Sequence, residues 1–275
     1  MKSWTVKRLT ATRVKSMARV MAAGCGGLLP TEQGPRVLCY HGVCDEPEDE
    51  WSITPAQLRS QMEMVARDRV PVSLDRIAAW VLGQEDLPRG AVAVTFDDGF
   101  QDVLRRAAPI LAEFDVPGAV FVSTALASHG ASAGDESFNS GRPFMNWEQV
   151  RELHDAGWTV GSHCITHARL ATLPMDRALV EIRDSRREIG QRLGTECLYI
   201  AYPYGTPGAV SKRELGMASE AGYRAGFLAV TGPARRGSDP FAIPRSKVLG
   251  TDRPVVVAAT LSGKMDIWRH IENRH

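Results

Sequence analysis

The sequence predicts an α/β fold, a parallel sheet with helices packed outside it, and three observations carry that expectation. Short apolar runs alternate with stretches of helical periodicity at the spacing of strand–helix–strand units. Polar motifs follow the apolar runs directly: His41, the pair Asp97-Asp98, and Tyr202 to Gly205, with His163 one residue after another run. Side chains gathered at the C-terminal ends of parallel strands are the usual arrangement of reactive groups in α/β barrels. The chain has 275 residues, 44% of them hydrophobic, which suffices for one large domain. The alternation alone leaves open whether the sheet is flat or closes into a barrel.

The elements follow in order. After Gly34-Pro35, the run Arg36 to Tyr40 reads as a strand ending at His41-Gly42. A helix is expected from Pro55 to Arg69, with Thr54 as N-cap and Pro55 at the first helical position. The segment Val70 to Ser73 leads to a helix near Leu74 to Leu82, then to a strand Ala91 to Phe96. Next come a helix near Val103 to Phe114, a strand Gly118 to Val122, a polar loop Ser123 to Met145 and a helix Trp147 to Ala156. The strand Trp158 to Gly161 delivers His163. A long helix, Met175 to Leu193, carries Glu181, Arg183, Asp184, Arg186, Arg187 and Glu188, which read as a solvated face. A strand Cys197 to Ala201, a helix Ser211 to Ala221 and the apolar run Gly226 to Val230 complete the pattern.

Residues 1–34 stand apart from the body at 35–275. The first 31 residues hold Lys2, Lys7, Arg8, Arg13, Lys15 and Arg19 and no acid, interleaved with Trp4, Val6, Leu9, Val14, Met17, Val20 and Met21. A basic amphipathic helix is expected, able to rest on an anionic membrane surface through residues 1–30. The segment fails as a signal peptide, because Val20 to Leu29 is Gly-rich and follows too long a basic stretch. Ala23-Gly24-Cys25 resembles a lipoprotein cleavage site without the hydrophobic core such a site needs. The expected location is cytoplasmic, peripheral at the inner membrane. A net charge of +1 and the absence of an aromatic-studded basic stretch argue against nucleic acid as a partner. Cys25, Cys39, Cys44, Cys164 and Cys197 are odd in number and scattered, so they read as reduced thiols. Cys164 reads as a small packing residue.

The chemistry concentrates in Val94-Thr95-Phe96-Asp97-Asp98-Gly99 and Ser162-His163-Cys164-Ile165-Thr166-His167. One Asp and two His can hold a divalent metal, and a spare Asp beside them can act as a base on the water that such an ion binds. Adjacent carboxylates in an extended segment point opposite ways, so one is expected to bind metal and the other to stay free. The spacing of His163 and His167 suits one face of a helical turn.

Those two motifs, followed by Ala201-Tyr202-Pro203-Tyr204-Gly205, resemble the first three motifs of the polysaccharide deacetylases, carbohydrate esterase family 4, over roughly residues 36 to 250. Tyr40-His41-Gly42-Val43 and Ile243-Pro244-Arg245 are similar to the branch associated with exopolysaccharide and capsule synthesis. The resemblance implies a distorted, incomplete (β/α)7-type barrel that removes N-acetyl groups from N-acetylhexosamine units of a polysaccharide or lipid-linked glycan. It makes Asp97 the general base and Asp98, His163 and His167 the ligands of a divalent metal, commonly Zn2+. The backbone N–H of Tyr204 would hold the oxyanion.

Two departures stand out. Ala201 occupies the place where many members carry an Arg that braces the catalytic Asp, and the late Leu-x-x-His motif that supplies the general acid is not visible. His270 and His275 lack its strand context. We expect His41 to supply the acid, because the first strand of a barrel lies beside the last, and Arg245 to take over the bracing. Trp147 and the loop Ser123 to Met145 are candidates to flank a sugar ring. Two other readings stay open: a hydrolase of a small amide or cyclic imide on the same fold, and a non-catalytic glycan-binding protein.

Overall fold

The structure, a computed structural model, describes residues 14–24, 31–129 and 142–272. Cys25, most of the basic N-terminal segment, positions 130–141 of the expected loop, and His275 lie outside the described residues.

Helical residues 14–24 (α1) precede strand β1, Arg36–Tyr40, every residue of which is buried, as a strand of a parallel sheet covered on both faces must be. Two short strands, β2 at Gly42–Val43 and β3 at Ser52–Ile53, pair with each other outside the main sheet. Helix α2, Pro55–Asp68, starts with Thr54 and Gln57 satisfying each other's backbone N–H groups. After β4, Val70–Pro71, and α3, Leu74–Val81, strand β5 spans Ala91–Phe96. The expected helix at Val103 begins as a π-helical turn, Val103–Ala107, before α4, Ala108–Glu113. Pro109 lacks the N–H that an α-helix would aim at the carbonyl of Arg105, which favours the wider turn.

Strand β6, Gly118–Val122, is followed by α5, Thr124–His129, so part of the expected polar loop is helical. Helix α6, Trp147–Asp155, leads to β7, Thr159–Ser162, and α7, Met175–Leu193, to β8, Tyr199–Ala201. Helix α8, Lys212–Glu220, leads to β9, Ala225–Phe227, and β10, Ser246–Lys247, precedes α9, Pro254–Ser262.

The main sheet runs β10-β1-β5-β6-β7-β8-β9, parallel throughout, with β4 pairing the start of β5. Ile243 pairs with Phe227 and Ser246 with Leu38. The segment 243–247 therefore steps from the β9 edge to the β1 edge, curling the sheet into an incomplete (β/α) barrel.

Side-chain alternation sorts the strands into two apolar layers. Leu38, Tyr40, Val92, Val94 and Phe96 face the outer helices with Leu58, Met62 and Ile110. Val37, Ala91, Ala93, Phe121, Tyr199, Ala201, Phe227 and Ile243 form the interior, and Leu74 and Ile77 of α3 pack on it. The alternation that puts Ala91 and Ala93 inside carries on to Thr95 and Asp97, so the first carboxylate of the Asp pair stands on the interior side where β5 ends.

Candidate active site

Strands β1 and β5 are in register from Arg36–Val92 to Tyr40–Phe96, and Asp97 N–H donates to the Tyr40 carbonyl at 2.9 Å. His41 and Asp97 therefore leave the sheet at the same height. Heteroatoms of Cys39, His41 and Asp97 lie within 4.8 Å of one another, and the Cys39 thiol donates to Asp97 Oδ2 at 3.3 Å.

The two carboxylates diverge as expected, but by a sharper device than strand alternation. Asp98 has φ +72° and Gly99 φ +79°, a left-handed turn that swings Asp98 away from Asp97. Asp tolerates that region better than most residues. At Gly99 a Cβ would stand 3.0 Å from Val122, so a side chain is disfavoured there on two grounds.

His163 and His167 are not on a helical turn, contrary to the expectation from their spacing. Residues 163–169 are irregular, with Cys164 at φ +63° and His167 at φ +60°. Glu181 explains the shape: its buried carboxylate accepts from the backbone N–H groups of Ile165 at 2.8 Å and Thr166 at 2.9 Å, and from the Thr166 hydroxyl at 2.7 Å. Those N–H groups are thereby held by a side chain instead of entering a helix. The reading of Glu181 as part of a solvated face is corrected accordingly. It lies on the inner face of α7 with Ala178, Ile182, Ser185 and Ile189. Cys164 is fully buried, as a packing residue would be.

His163 Nδ1–H donates to the Ala201 carbonyl at 2.7 Å, which fixes the tautomer and leaves Nε2 with a lone pair directed at Asp98. Nε2 of His163 and Nε2 of His167 each stand 3.4 Å from Asp98 Oδ1, and that buried oxygen has no hydrogen-bond partner among the described residues. The separation is too long for a hydrogen bond. It matches donor atoms bound to one tetrahedral ion through bonds of about 2.1 Å. The residues present thus fit a divalent metal, and the orphaned oxygen is the observation that says so. Burial disfavours charge on both histidines. At His167 burial prevails and the pKa falls to about 3, while at His163 Asp97 and Asp98 outweigh it and the pKa rises.

Arg245 makes the contact with Asp97 that the sequence suggested. Fully buried, it donates from Nη1 to Asp97 Oδ1 at 2.6 Å and from Nη2 to Oδ2 at 2.7 Å. Its remaining donors reach Thr95 Oγ1 at 3.1 Å and the Leu228 carbonyl at 3.2 Å, and its guanidinium carbon lies 5.1 Å from the Phe121 ring centroid. Ala201 faces the same interior layer, so the short side chain there leaves room for an arginine arriving from the β10 side. Burial raises the Asp97 pKa, but the Arg245 guanidinium, through its charge and its two hydrogen bonds, overcomes it and holds the carboxyl well below the usual range.

His41 Nδ1 is buried without a hydrogen-bond partner among the described residues, and the ring lies 5.1 Å from Trp51, a neighbour the sequence alone does not pick out. Burial lowers the His41 pKa despite Asp98 and Asp97 nearby. Tyr204 has φ +63°, and its ring lies 4.9 Å from His167 with Arg169 4.4 Å above it. Asp98, Cys164, His167 and Tyr204 are four of the five non-glycine residues with positive φ among those described, and all belong to these site motifs. Non-glycine residues in this region are uncommon and persist where the surrounding structure fixes them. Trp147 is held differently: its indole N–H donates to Ser128 at 2.8 Å and Arg192 lies 5.3 Å over its ring, which ties it to the outer helices α5 and α7.

The sequence profile described as polysaccharide deacetylase matches residues 84–226, more than half of the chain. The chain belongs to the polysaccharide deacetylase family. That membership sets the broad activity class, a hydrolase deacetylating a polysaccharide. Among relatives, the Bacillus subtilis protein YxkH is 24% identical over 213 residues, covering 77% of this chain and 70% of that protein. The poly-beta-1,6-N-acetyl-D-glucosamine N-deacetylase of Escherichia coli K12 is 34% identical over 124 residues, 42% of this chain and only 18% of that larger protein. The Streptococcus pyogenes deacetylase PplD, solved in complex with acetate, has the same fold at a TM-score of 0.72 and 21% identity, over 84% of this chain and 99% of that one.

Proposed function

We propose that this member of the family is a metal-dependent N-deacetylase acting on N-acetylhexosamine units of a polysaccharide or lipid-linked glycan. The observation that carries the proposal is Asp98 Oδ1, buried and unbonded, with two imidazole nitrogens 3.4 Å away. The likeness to the Escherichia coli enzyme favours an N-acetylglucosamine polymer as substrate class. Asp98, His163 and His167 would hold the ion, with Zn2+ suited to their nitrogen and oxygen donors. Bound there, a divalent ion acidifies a water and polarises the acetyl carbonyl.

The protein's own residues supply the rest. Asp97, held in one orientation by Arg245, takes a proton from the attacking water as its oxygen bonds to the carbonyl carbon. The Tyr204 backbone N–H donates to the developing oxyanion, an interaction worth about 3 kcal/mol in other hydrolases. Breaking the C–N bond requires a proton on the departing amine, and His41 would give it. For that, His41 would take up at one ring nitrogen the proton that Asp97 has collected and pass one on from the other. Arg245 keeps Asp97 acidic enough to release it, and His41 lies within 4.8 Å.

Two outcomes test this reading. Protein treated with a chelator and freed of metal should release no acetate from N-acetylglucosamine oligomers, and stoichiometric Zn2+ should restore release; turnover by metal-free protein would reject the metal reading. Metal binding without acetate release, but with cleavage of small amides or cyclic imides, would favour the second enzyme reading. His41→Ala should lower kcat by roughly 10²–10³ with metal content unchanged, the usual worth of a general acid. Turnover within twofold of wild type would remove His41 from the mechanism.

A further inference from the structure

Helical residues 14–24 carry apolar residues on two sides: Ala18, Val20, Ala22 and Ala23 pack against the protein, and a second stripe faces away from it. Val14, Met17 and Met21, at helical spacing, are 61%, 67% and 68% exposed. The face turned inward is anchored by a cation. Buried Arg19 donates from Nε and Nη2 to the two carboxylate oxygens of Asp252 at 2.6 and 2.8 Å, and from Nη2 to the Lys247 carbonyl at 3.1 Å. Ser16 reaches the Thr251 carbonyl at 3.1 Å, and Ala23 packs with Val256, Ala259, Met265 and Trp268. A helix serving only the core would not keep a second apolar stripe on its outer side.

The N-terminal end of the helix lies at the end of the barrel that carries the candidate active site. Lys15 Nζ binds Glu50 at 2.7 Å and sits 5.3 Å over the Trp51 ring, which is the neighbour of His41. The segments beside the helix add exposed apolar surface, Trp51 at 37% and Val255 at 48%. Charge selects the partner. Lys15 and Arg19 are paired within the fold, whereas the sequence before the stripe adds Lys2, Lys7, Arg8 and Arg13, and no acid occurs before Glu32.

We propose that the Val14–Met17–Met21 face docks on an anionic lipid bilayer, with the helix in the plane of the surface. Apolar side chains on a surface helix with cations along the same segment are the combination that binds such surfaces. No helix among the described residues is long and apolar enough to cross a membrane, so the contact is peripheral. A second copy of the chain fits worse. Self-pairing through this face would bring two cationic segments together, and three side chains are a small part of the roughly 800 Å² per partner of a stable interface.

Co-sedimentation of the full chain with vesicles tests the proposal without reference to turnover. Wild type should bind mixed phosphatidylcholine–phosphatidylglycerol vesicles and not phosphatidylcholine alone, with binding that weakens as salt rises. Met17→Glu/Met21→Glu should bind at least about tenfold more weakly, with an unchanged melting temperature showing that the fold is intact. Met17→Ser/Met21→Ser, which adds no charge, should also weaken binding and separates loss of apolar contact from repulsion. Absence of binding to the mixed vesicles, equal binding by wild type and both variants, or a dimer in sedimentation velocity abolished by the same substitutions would each overturn it.

Discussion

Asp97→Asn is expected to lower kcat for acetate release by roughly 10³, within the range for loss of a general base, while bound metal stays at the wild-type level. The separation follows from the turn at Asp98. The side chain facing the two histidines is Asp98, and Asp97 faces Arg245 and Cys39 instead. Asparagine keeps the shape and one oxygen for Arg245 but cannot take up a proton. Release within about tenfold of wild type would show that the water's proton goes elsewhere. The pH dependence has a defined sign. Asp97 has its pKa depressed in the folded protein, so its pairing contributes stability above the unfolded carboxylate value of about 3.9 and loses it as pH falls through the lower folded value. Activity of wild type should therefore persist down to the ordinary carboxylate range without a limb assignable to Asp97 in the free enzyme.

The residues that can be read from sequence are those whose chemistry is tied to residue type. Carboxylates and imidazoles at strand ends announce themselves, and so did an arginine after the last apolar run, once Ala201 left the bracing position without a cation. What the sequence hides is backbone geometry. Nothing in the identities of Cys164, His167 and Tyr204 signals φ values near +60°, so the histidine pair was read as a helical turn. Glu181 was legible in principle. Its place among Ala178, Ile182, Ser185 and Ile189 puts one carboxylate on an apolar face of α7, and a buried acid there demands donors. Trp51 carried no such signal, because its approach to His41 depends on the pairing of β2 and β3, each two residues long.

Arg245→Met should destabilise the protein by about 3–5 kcal/mol in urea unfolding, the cost of leaving a buried carboxylate without its partner. Both oxygens of Asp97 lose their guanidinium donors, and among the described residues the weak Cys39 thiol remains at Oδ2. The combined variant Arg245→Met/Asp97→Asn removes the stranded charge as well, so it should recover much of that loss while remaining inactive. A single-variant cost below about 1 kcal/mol would mean that water reaches the pair, as at exposed ion pairs. Arg245→Lys separates charge from geometry: an ammonium restores the charge but cannot form the two parallel bonds, so stability should recover further than turnover does. The position of Ala201 adds a sharper test, because its side chain faces the same interior layer as the Arg245 guanidinium. Ala201→Arg in the Arg245→Met background should regain part of both stability and acetate release, since what Asp97 requires is a fork of donors from inside the barrel, whichever strand supplies it. Recovery of neither, in a protein that still binds metal, would show that the route through β10 is specific to this site.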